Sequence, residues 1–265
     1  MKERIEALLP ADHPWKNHIL VYDTLPSTND LAKTLARQGA PQGTVILARN
    51  QTQGRGRMGR FFHSPQDSGI YMSLILRPHC PPTELMHLTC AVGWAMCQAV
   101  EAATGLRPGI KWINDLVYGK RKLGGILTEL GFDRSGRASY AIVGIGINCL
   151  QAQEDFPPEL RDIAGSLAMF CPEAPEPATL AAHMLLCLEN MSRNLLTDRQ
   201  QLLEQYRQCC VTLGQQVIIW RNGQKLEALA VDIDDAGGLM VRFADGREET
   251  VTAGEVSVRG MYGYL

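Results

Sequence analysis

A chain of 265 residues is long enough for one large domain, or for a main domain with a smaller companion. Its formal net charge of −2 excludes an overall field that attracts nucleic acid or membranes, so any basic site has to be local. The N-terminal residues lack the apolar core of a signal peptide, and the eight cysteines form no CxxC pair. We therefore expect buried free thiols, no membrane span and a cytoplasmic location.

The first half of the chain alternates between strand-like and helix-like patterns. Apolar, partly β-branched runs predict strands at 18–25, 44–50 and 69–78. Helical spacing of apolar residues predicts helices at 2–9, 28–39 and 83–104. Ser27 and Thr83 are suited to N-caps, and Gly39 to the position just past a helix end. The helix at 2–9 alone is too short for a helix-turn-helix DNA-binding module.

The second half begins with short strands and tight glycines between Gly109 and Leu150, including a hairpin turn in the sequence YGK. Residues 151–177 are rich in proline, acidic residues and alanine, which predicts a surface connection; helices at 178–196 and 198–210 follow. From Leu213 the pattern changes to short alternating segments separated by NG, DDAGG and DG turns. The sequence therefore predicts two domains, 1–212 and 213–265, of which the second is all-β.

The most distinctive stretch is GRGRMGR at residues 54–60, directly after a predicted strand. Glycine reaches positive φ and allows close approach of the backbone to a ligand. The guanidinium groups of Arg55, Arg57 and Arg60 supply planar donors for phosphate or carboxylate. We therefore expect a mobile loop that closes over an anionic ligand, although a solvated basic turn explains this stretch equally well when it is taken alone.

Polar side chains precede this loop at the ends of two predicted elements. Ser27, Thr28 and Asn29 can donate and accept hydrogen bonds to a neutral polar ring such as a urea, while helix capping explains Ser27 as well. Gln51 adds an amide at a strand end, where an exposed loop glutamine is the alternative. Together these residues predict a pocket for a neutral polar group.

The motifs KWIND and RKLGGIL add charge near two further strand ends. Lys111 and Lys122 are point charges suited to phosphate, and Asp115 is suited to orienting an amine or helping to hold a metal. A salt bridge between Lys111 and Asp115 is the alternative. Gly124 and Gly125 interrupt an apolar strand, which indicates close approach of a ligand or another backbone, or a β-bulge.

The sequence predicts cationic groups on one loop and at two strand ends, beside a polar pocket. This combination suits the activation of a carboxylate by ATP. Attack on the α-phosphate gives an acyl adenylate and expels pyrophosphate, and the cations neutralise the charge that builds on phosphate. Mg²⁺ would be carried mainly by the phosphates. The mixed anhydride hydrolyses in water, which gives a loop that orders over it a purpose.

The motifs GRGRMGR, KWIND and KLGGIL, in this order and spacing, resemble those of the biotin–protein ligases. The resemblance covers about 18–150 and resumes at 213–260, where GEVSVR resembles the small C-terminal barrel of the family. It implies an α+β fold with a central mixed sheet and flanking helices, similar to class II aminoacyl-tRNA synthetases. It also implies that 1–212 is the catalytic domain and that 213–265 is an SH3-like β-barrel.

The same resemblance implies two half-reactions. Biotin and ATP, with Mg²⁺, form biotinyl-5′-AMP, and biotin is then transferred to a lysine of a biotin carboxyl carrier protein of acetyl-CoA carboxylase or a similar enzyme. The chain resembles the form of the family that lacks an N-terminal DNA-binding domain, so neither DNA nor membrane is an expected partner. A homodimer formed through a sheet edge is left open.

The resemblance also implies roles for the residues at matching positions. Biotin would be bound by Ser27, Thr28, Asn29, Gln51, Arg55, Gly56, Arg57 and Lys122. The nucleotide would be bound by Arg57, Arg60, Phe62, Lys111, Asn148, Glu255 and Arg259. The catalytic residues would be Arg57, Lys111, Asp115 and Lys122. Two positions depart from the family pattern: Phe62 replaces a frequent tryptophan and Ile113 replaces the usual proline.

Two alternatives are weighed against this reading. Lipoate–protein ligases and octanoyltransferases share a related core, but their RRxSGGG-type stretch is not found in this sequence. A non-catalytic nucleic-acid-binding module could use the arginine-rich stretch, but aromatic residues make up only 6% and no basic stripe accompanies it. The ligase reading therefore explains more of the chain.

Overall fold

The computed structural model describes residues 1–221, 224–252 and 255–258, the last range by its backbone. The described helices are α1 Lys2–Leu8, α2 Thr28–Arg37, α3 Leu88–Thr104, α4 Pro177–Asn194 and α5 Arg199–Cys209. The first seven strands are β1 Ile19–Leu25, β2 Val45–Gln51, β3 Gly69–Leu76, β4 Gly109–Lys111, β5 Asp115–Tyr118, β6 Arg121–Phe132 and β7 Ala138–Asn148. The remaining strands are β8 Gln216–Arg221, β9 Gln224–Ile233, β10 Leu239–Arg242, β11 Glu248–Val251 and β12 Glu255–Val258.

The first seven strands form one sheet in the order β1-β2-β3-β7-β6-β5-β4. The β1–β2 pair is parallel, and the other neighbours are antiparallel, so the sheet is mixed as predicted. All eight residues of β3 are buried, which confirms the burial on both faces expected from its apolar run. The predicted hairpin turn follows β5, where Gly119 has φ 57°.

The two faces of this sheet are covered unequally. Helices α1, α3, α4 and α5 form the large hydrophobic core on one face. Helix α2 packs on the other face through a small cluster consisting of Ala32, Ala36, Ile46, Ile75 and Ile142. Among the described residues this one helix covers only part of that face, and Asn29 in its first turn lies against the middle of β6 and β7, near Glu129 and Gly144. The open part of this face is where a ligand can reach the sheet.

The last five strands form a second, fully antiparallel sheet in the order β11-β10-β9-β8-β12. A hydrogen bond attaches it to the KWIND segment: the Trp112 indole N–H donates to the Gly237 carbonyl, in the turn between β9 and β10, at 2.9 Å. The Trp112 backbone N–H donates at 2.8 Å to Thr212 Oγ1, in the segment that leads from α5 into this sheet. The predicted small β module is therefore present, and it holds one of the sequence motifs in place.

Two local predictions are wrong. Thr83 does not begin the third long helix: Pro82–Leu85 forms a short 3₁₀ turn, and α3 starts at Leu88. Residues 151–177 are not simply a surface connection, because Phe156, Ser166 and Leu167 are fully or nearly fully buried. The apolar side chains of this segment are few and irregularly spaced, so they produced no periodic signal.

Other local predictions are confirmed. Gly39 lies just past the end of α2 with φ 92°, as expected for a helix-terminating glycine. All eight cysteines are free thiols, six of them buried and two half-buried. In the part of the chain that the structure describes, no helix is long and apolar enough to cross a membrane.

Candidate active site

A cavity of about 430 Å³ opens on the α2 face of the large sheet. Its walls come from the start of α2, the arginine loop (residues 54–60), strands β4 to β7, the segment 156–164 and one residue of β8. The predicted site residues that line it are Ser27, Thr28, Asn29, Gln51, Arg55, Gly56, Arg57, Arg60, Phe62, Lys111, Asp115, Lys122 and Asn148. Side chains separated by up to 121 positions in sequence thus meet in one space.

Two predicted nucleotide residues are in the C-terminal strand region. Glu255 begins β12, where its backbone pairs with that of Trp220 on β8. Arg259 lies outside the described residues. Their predicted contact with the nucleotide therefore stays a prediction.

One end of the cavity is a buried hydrogen-bond network at the start of α2. The Thr28 backbone N–H donates to Gln51 Oε1 at 2.9 Å, and the Ser73 hydroxyl donates to Asn29 Oδ1 at 2.6 Å. Ser27 occupies the N-cap position of α2, but its side chain makes no capping hydrogen bond and it is only 3% exposed. These amide and hydroxyl groups create a compact surface that can both donate and accept hydrogen bonds.

The arginine loop folds as a small hairpin above this end. Gly56 N–H donates to the Arg60 carbonyl at 2.7 Å, and Arg55 pairs with Phe61 through an isolated β-bridge. Met58, at the tip, has φ 56°, in the left-handed region where non-glycine residues are uncommon. The loop therefore presents its arginines from a tight turn.

Arg57 is anchored toward the centre of the cavity. Its Nη1 donates to Asn114 Oδ1 at 3.0 Å, and the Asn114 amide in turn donates to the Ile126 carbonyl at 3.0 Å. Burial lowers the pKa of Arg57 from its usual value, and the nearby Asp115 carboxylate opposes that shift. Asn114 lies within KWIND but was not among the predicted site residues, so the sequence reasoning missed it.

Two lysines and an aspartate lie below the arginine loop. Lys122 Nζ donates to Asp115 Oδ1 at 2.6 Å, an ion pair that joins β6 to β5. Lys111 is buried, with 7% exposure, and its backbone pairs with that of Asp115 at the β4–β5 turn. The sequence offered a Lys111–Asp115 salt bridge as the alternative reading, whereas the ion pair described here joins Asp115 to Lys122.

Glycines make the floor of the cavity. A Cβ at Gly144 would lie 2.1 Å from Asn29 Oδ1, and one at Gly146 would lie 2.4 Å from the Phe62 ring. A Cβ at Gly124 would lie 2.4 Å from the Gly146 carbonyl oxygen, so another backbone approaches closely, as the glycine pair predicted. Phe62 therefore packs against a strand that has no side chain at that point.

The other end of the cavity is apolar. The segment after β7 runs beside the start of β6, where Lys122 N–H donates to the Ile163 carbonyl at 2.8 Å. It places four apolar side chains on the cavity wall: Phe156, Leu160, Ile163 and Ala164. The Asn148 amide beside them donates to the Gly165 carbonyl at 2.9 Å. An apolar slot with an amide at its edge suits a planar heterocycle.

The sequence reasoning missed this apolar wall and also missed Trp220, which lines the cavity from β8 with 43% exposure. A large aromatic residue near the end of a short apolar strand was the available signal for Trp220. No comparable signal marks the wall, since its residues lie in the irregular segment that was predicted to be a surface connection.

The side chains of the described residues determine whether the protein itself could hold a metal ion. Among the residues whose positions are described, no group of three or more His, Cys, Asp or Glu side chains is arranged to hold a metal. Asp115, the one carboxylate that the described residues place on the cavity wall, is bonded to Lys122. The described residues therefore do not fit a metal site built by the protein itself.

Comparisons with known proteins cover both sheets. Residues 21–148 match the model of the biotin/lipoate A/B protein ligase family, and residues 212–259 match the biotin protein ligase C-terminal domain. A bifunctional ligase/repressor BirA from Bacillus spizizenii is 38% identical over 240 residues, which cover 89% of this chain and 73% of that relative.

Two further comparisons extend over nearly the whole chain. A biotin–[acetyl-CoA-carboxylase] ligase from Mycobacterium tuberculosis is 30% identical over 256 residues, covering 95% of this chain and 92% of the relative. The solved structure of biotin protein ligase from Aquifex aeolicus in complex with biotin and ATP is similar with a TM-score of 0.77 and 25% identity, covering 91% of this chain and 98% of that one. By its motifs, its two sheets and these matches, the chain belongs to the biotin–protein ligase family.

Proposed function

We propose that this protein attaches biotin to a carrier protein in two steps within the cavity described above. The biotin carboxylate attacks the α-phosphate of ATP, which forms biotinyl-5′-AMP and releases pyrophosphate. A lysine amine of the carrier then attacks the acyl carbon, which forms the amide and releases AMP. The observation that carries this proposal is one cavity with a polar amide-binding end, a cationic centre and an apolar slot.

The polar end is proposed to bind the ureido ring of biotin. Thr28, Asn29 and Gln51 are all buried; Thr28 is bonded to Gln51 directly and linked to Asn29 through Ser73, so the three side chains lose little freedom when a ligand arrives. A urea offers two N–H donors and one carbonyl acceptor, which matches hydroxyl and amide partners. Ser27 is proposed to hydrogen-bond to the same ureido ring.

The cationic centre is proposed to hold the reacting carboxylate and phosphates. Arg57, Lys111 and Lys122 line the same cavity, and cations that face a phosphate stabilise the charge that grows during displacement of pyrophosphate. Arg55, Gly56 and Arg60 are proposed to close the loop side of this region.

Asp115 is proposed to orient the incoming lysine amine in the second step. Its carboxylate accepts a hydrogen bond from Lys122 at 2.6 Å, so a ligand carboxylate or phosphate that attracts Lys122 would compete for this ion pair. That competition would leave Asp115 available for the amine after the adenylate has formed.

The apolar slot is proposed to hold adenine. The aromatic ring of Phe156 and the branched side chain of Ile163 supply apolar contacts for the base, while Asn148 supplies an amide at the rim of the slot. Phe62, lying against Gly146, is proposed to cover the activated intermediate from the loop side. Glu255 and Arg259 keep their predicted nucleotide role on the strength of the sequence motif.

Several further assignments are proposals of the same kind. The boundary between a catalytic domain 1–212 and a C-terminal domain 213–265 is supported by the change of sheet between α5 and β8. Mg²⁺ is expected to arrive with the ATP phosphates, which supply its ligands. A cytoplasmic location is supported by the free thiols. The net charge of −2 does not attract DNA or an anionic membrane, which supports the absence of both as partners.

The carrier is proposed to be the biotin carboxyl carrier protein of acetyl-CoA carboxylase or a similar enzyme, because relatives carry that substrate in their names. Homodimer formation is left as a proposal that light scattering tests. The two chemistries within the matched family, transfer of biotin and transfer of lipoate, differ in the acyl group that the polar end accepts.

Exchange of labelled pyrophosphate into ATP tests the first step directly. The protein is incubated with ATP, Mg²⁺ and either biotin or lipoate, and exchange is expected with biotin. Exchange with lipoate alone would favour a lipoate–protein ligase, and exchange with neither would favour a non-catalytic binding protein. A mass increase of the carrier protein in the presence of biotin and ATP then tests the second step.

A further inference from the structure

Glu129 on β6 is bonded to both the arginine loop and the polar end of the cavity, although the cavity wall formed by the described residues does not include it. We propose that Glu129 is a positioning residue that couples occupancy of the biotin pocket to closure of the arginine loop. This inference rests on the proposed function, because it names how the same site keeps its intermediate.

The first connection runs from Glu129 to the loop. Arg55 Nη2 lies 3.4 Å from Glu129 Oε1, and Arg55 Nη1 donates to Asp30 Oδ1 at 2.5 Å. Lys33 Nζ donates to the same Glu129 oxygen at 2.6 Å. Two carboxylates therefore fasten the first arginine of the loop to helix α2 and strand β6. These two carboxylates hold the Arg55 guanidinium group, which favours a loop-fastening role for Arg55 alongside the predicted contact with biotin.

The second connection runs from Glu129 into the pocket. Asn29 Nδ2 donates to Glu129 Oε2 at 2.9 Å, and Asn29 Oδ1 accepts from the Ser73 hydroxyl at 2.6 Å. A carboxylate can only accept here, so it fixes which end of the Asn29 amide faces it. Ser73 Oγ lies 2.8 Å from Thr28 Oγ1, which continues the network toward Gln51. Glu129 therefore sets the orientation of a pocket amide.

The third connection returns from the pocket to the far side of the loop. Gln51 Nε2 donates to Ser64 Oγ at 3.0 Å, and Ser64 donates to the Phe62 carbonyl at 2.9 Å. Phe62 N–H donates to the Gly54 carbonyl at 2.9 Å, which closes the base of the hairpin. Both ends of the arginine loop are thus tied to one buried network that passes through the biotin pocket.

A ligand that binds Asn29 and Gln51 would reduce the motion of both ends of this network at once. Glu129 carries the charge that holds Arg55 and Lys33, and its side chain is 22% exposed, so charge-assisted hydrogen bonds retain part of their strength. Loss of that charge is expected to loosen the loop and to free the Asn29 amide. The slot proposed for adenine and Lys111 lie outside this network, so binding of ATP is expected to change less than binding of biotin.

The test compares Glu129→Gln with the matched variant Glu101→Gln. Glu101→Gln removes the same charge, but from a surface ion pair with Arg107 that lies away from the cavity. For Glu129→Gln we expect the KM for biotin to rise about tenfold and biotinyl-5′-AMP to leave the enzyme about tenfold faster, with the KM for ATP within about twofold of wild type. Glu101→Gln is expected to match wild type in all three.

Loop closure has its own readout, which needs no catalysis. Arg55 and Arg60 are exposed, so trypsin is expected to cut after them, and biotin alone is expected to slow these cuts in the wild type. That protection is expected to be lost in Glu129→Gln and in Ser64→Ala, which breaks the network on its other side. Ser64→Ala keeps the inference testable if Glu129→Gln fails to fold.

The outcomes separate the inference from the proposed function. Absence of biotin-dependent pyrophosphate exchange in the wild type would overturn the function whatever the variants do. Normal exchange in the wild type, together with unchanged biotin KM, adenylate lifetime and trypsin protection in both network variants, would overturn the coupling role alone. An equal rise in the KM values for biotin and ATP would also overturn it, because a merely structural role predicts that pattern.

Discussion

The adjacent glycines of the KLGGIL motif have opposite surroundings, and alanine substitutions should separate them. A Cβ at Gly124 would lie 2.4 Å from the Gly146 carbonyl oxygen and 3.3 Å from Ile147 Cα, both on the neighbouring strand. Backbone atoms of a central sheet cannot move aside easily. A Cβ at Gly125 would meet Lys122 Cε and Nζ at 3.5 Å and Phe62 at 3.8 Å, which are ordinary contact distances.

The magnitudes follow from these distances. Overpacking against backbone costs about 1–3 kcal/mol, whereas replacing a tolerant glycine by alanine gains about 0.4–1 kcal/mol through the unfolded state. We therefore expect Gly124→Ala to lower the free energy of unfolding by about 1–2 kcal/mol. At about 2–4 °C per kcal/mol for a chain of this size, its Tm should fall by about 2–8 °C. The Tm of Gly125→Ala should stay level or rise slightly.

Activity should show the reverse order. The new methyl group of Gly125→Ala enters the cavity beside Lys122, so biotin-dependent pyrophosphate exchange should fall while the fold is intact. Differential scanning calorimetry and the exchange assay on the same preparations give both quantities. Equal losses of Tm in the two variants, or a larger loss in Gly125→Ala, would refute the assignment of one glycine to the strand interface and the other to the cavity.

Three further predictions address other parts of the molecule. Trp112→Phe leaves the buried Gly237 carbonyl without its indole donor, so thermal unfolding should show a loss of about 1–3 kcal/mol. Burial lowers the pKa of His87 below its usual 6.5. Its contribution to the free energy of unfolding should therefore be full above pH 6.5 and be lost as the pH falls through the lowered pKa. Denaturant titrations should show that the stability of His87→Gln depends less on pH than that of the wild type. Arg57→Ala should release the adenylate faster, whereas Lys122→Ala should slow its formation, and single-turnover kinetics that show wild-type rates for both would contradict these roles.

Local chemistry accounts for the parts of the fold that the sequence predicted well. The strand at 69–78 is largely apolar, and burial of β3 on both faces of the sheet demands that composition. In the strand at 44–50 the apolar residues 45–48 are the buried ones. Gly39 and Gly119 adopt positive φ where a helix ends and a hairpin turns, positions that favour glycine over other residues. Such signals act within a few residues, so they are visible without any knowledge of distant contacts.

The cavity wall formed by residues 156–164 could not be predicted from the sequence, because no local signal marks it. Its apolar residues pack against the cavity and β6 from an irregular segment, so neither a helical nor a strand period marks them. Thr83 misled because a good capping residue followed two prolines that instead form a 3₁₀ turn. Contacts made elsewhere in the fold decided the first case, and the neighbouring prolines decided the second.

The order of the elements, the glycine and arginine positions and the family motifs are properties of the linear chain, since each depends on residue types and short spacings. The partners of those motifs are properties of the folded molecule. Glu129 is bonded to Asn29, 100 positions away, and Trp220 reaches the cavity from the second sheet. Such meetings depend on strand order and register, which arise from the packing of the whole sheet and which no short stretch of residues encodes.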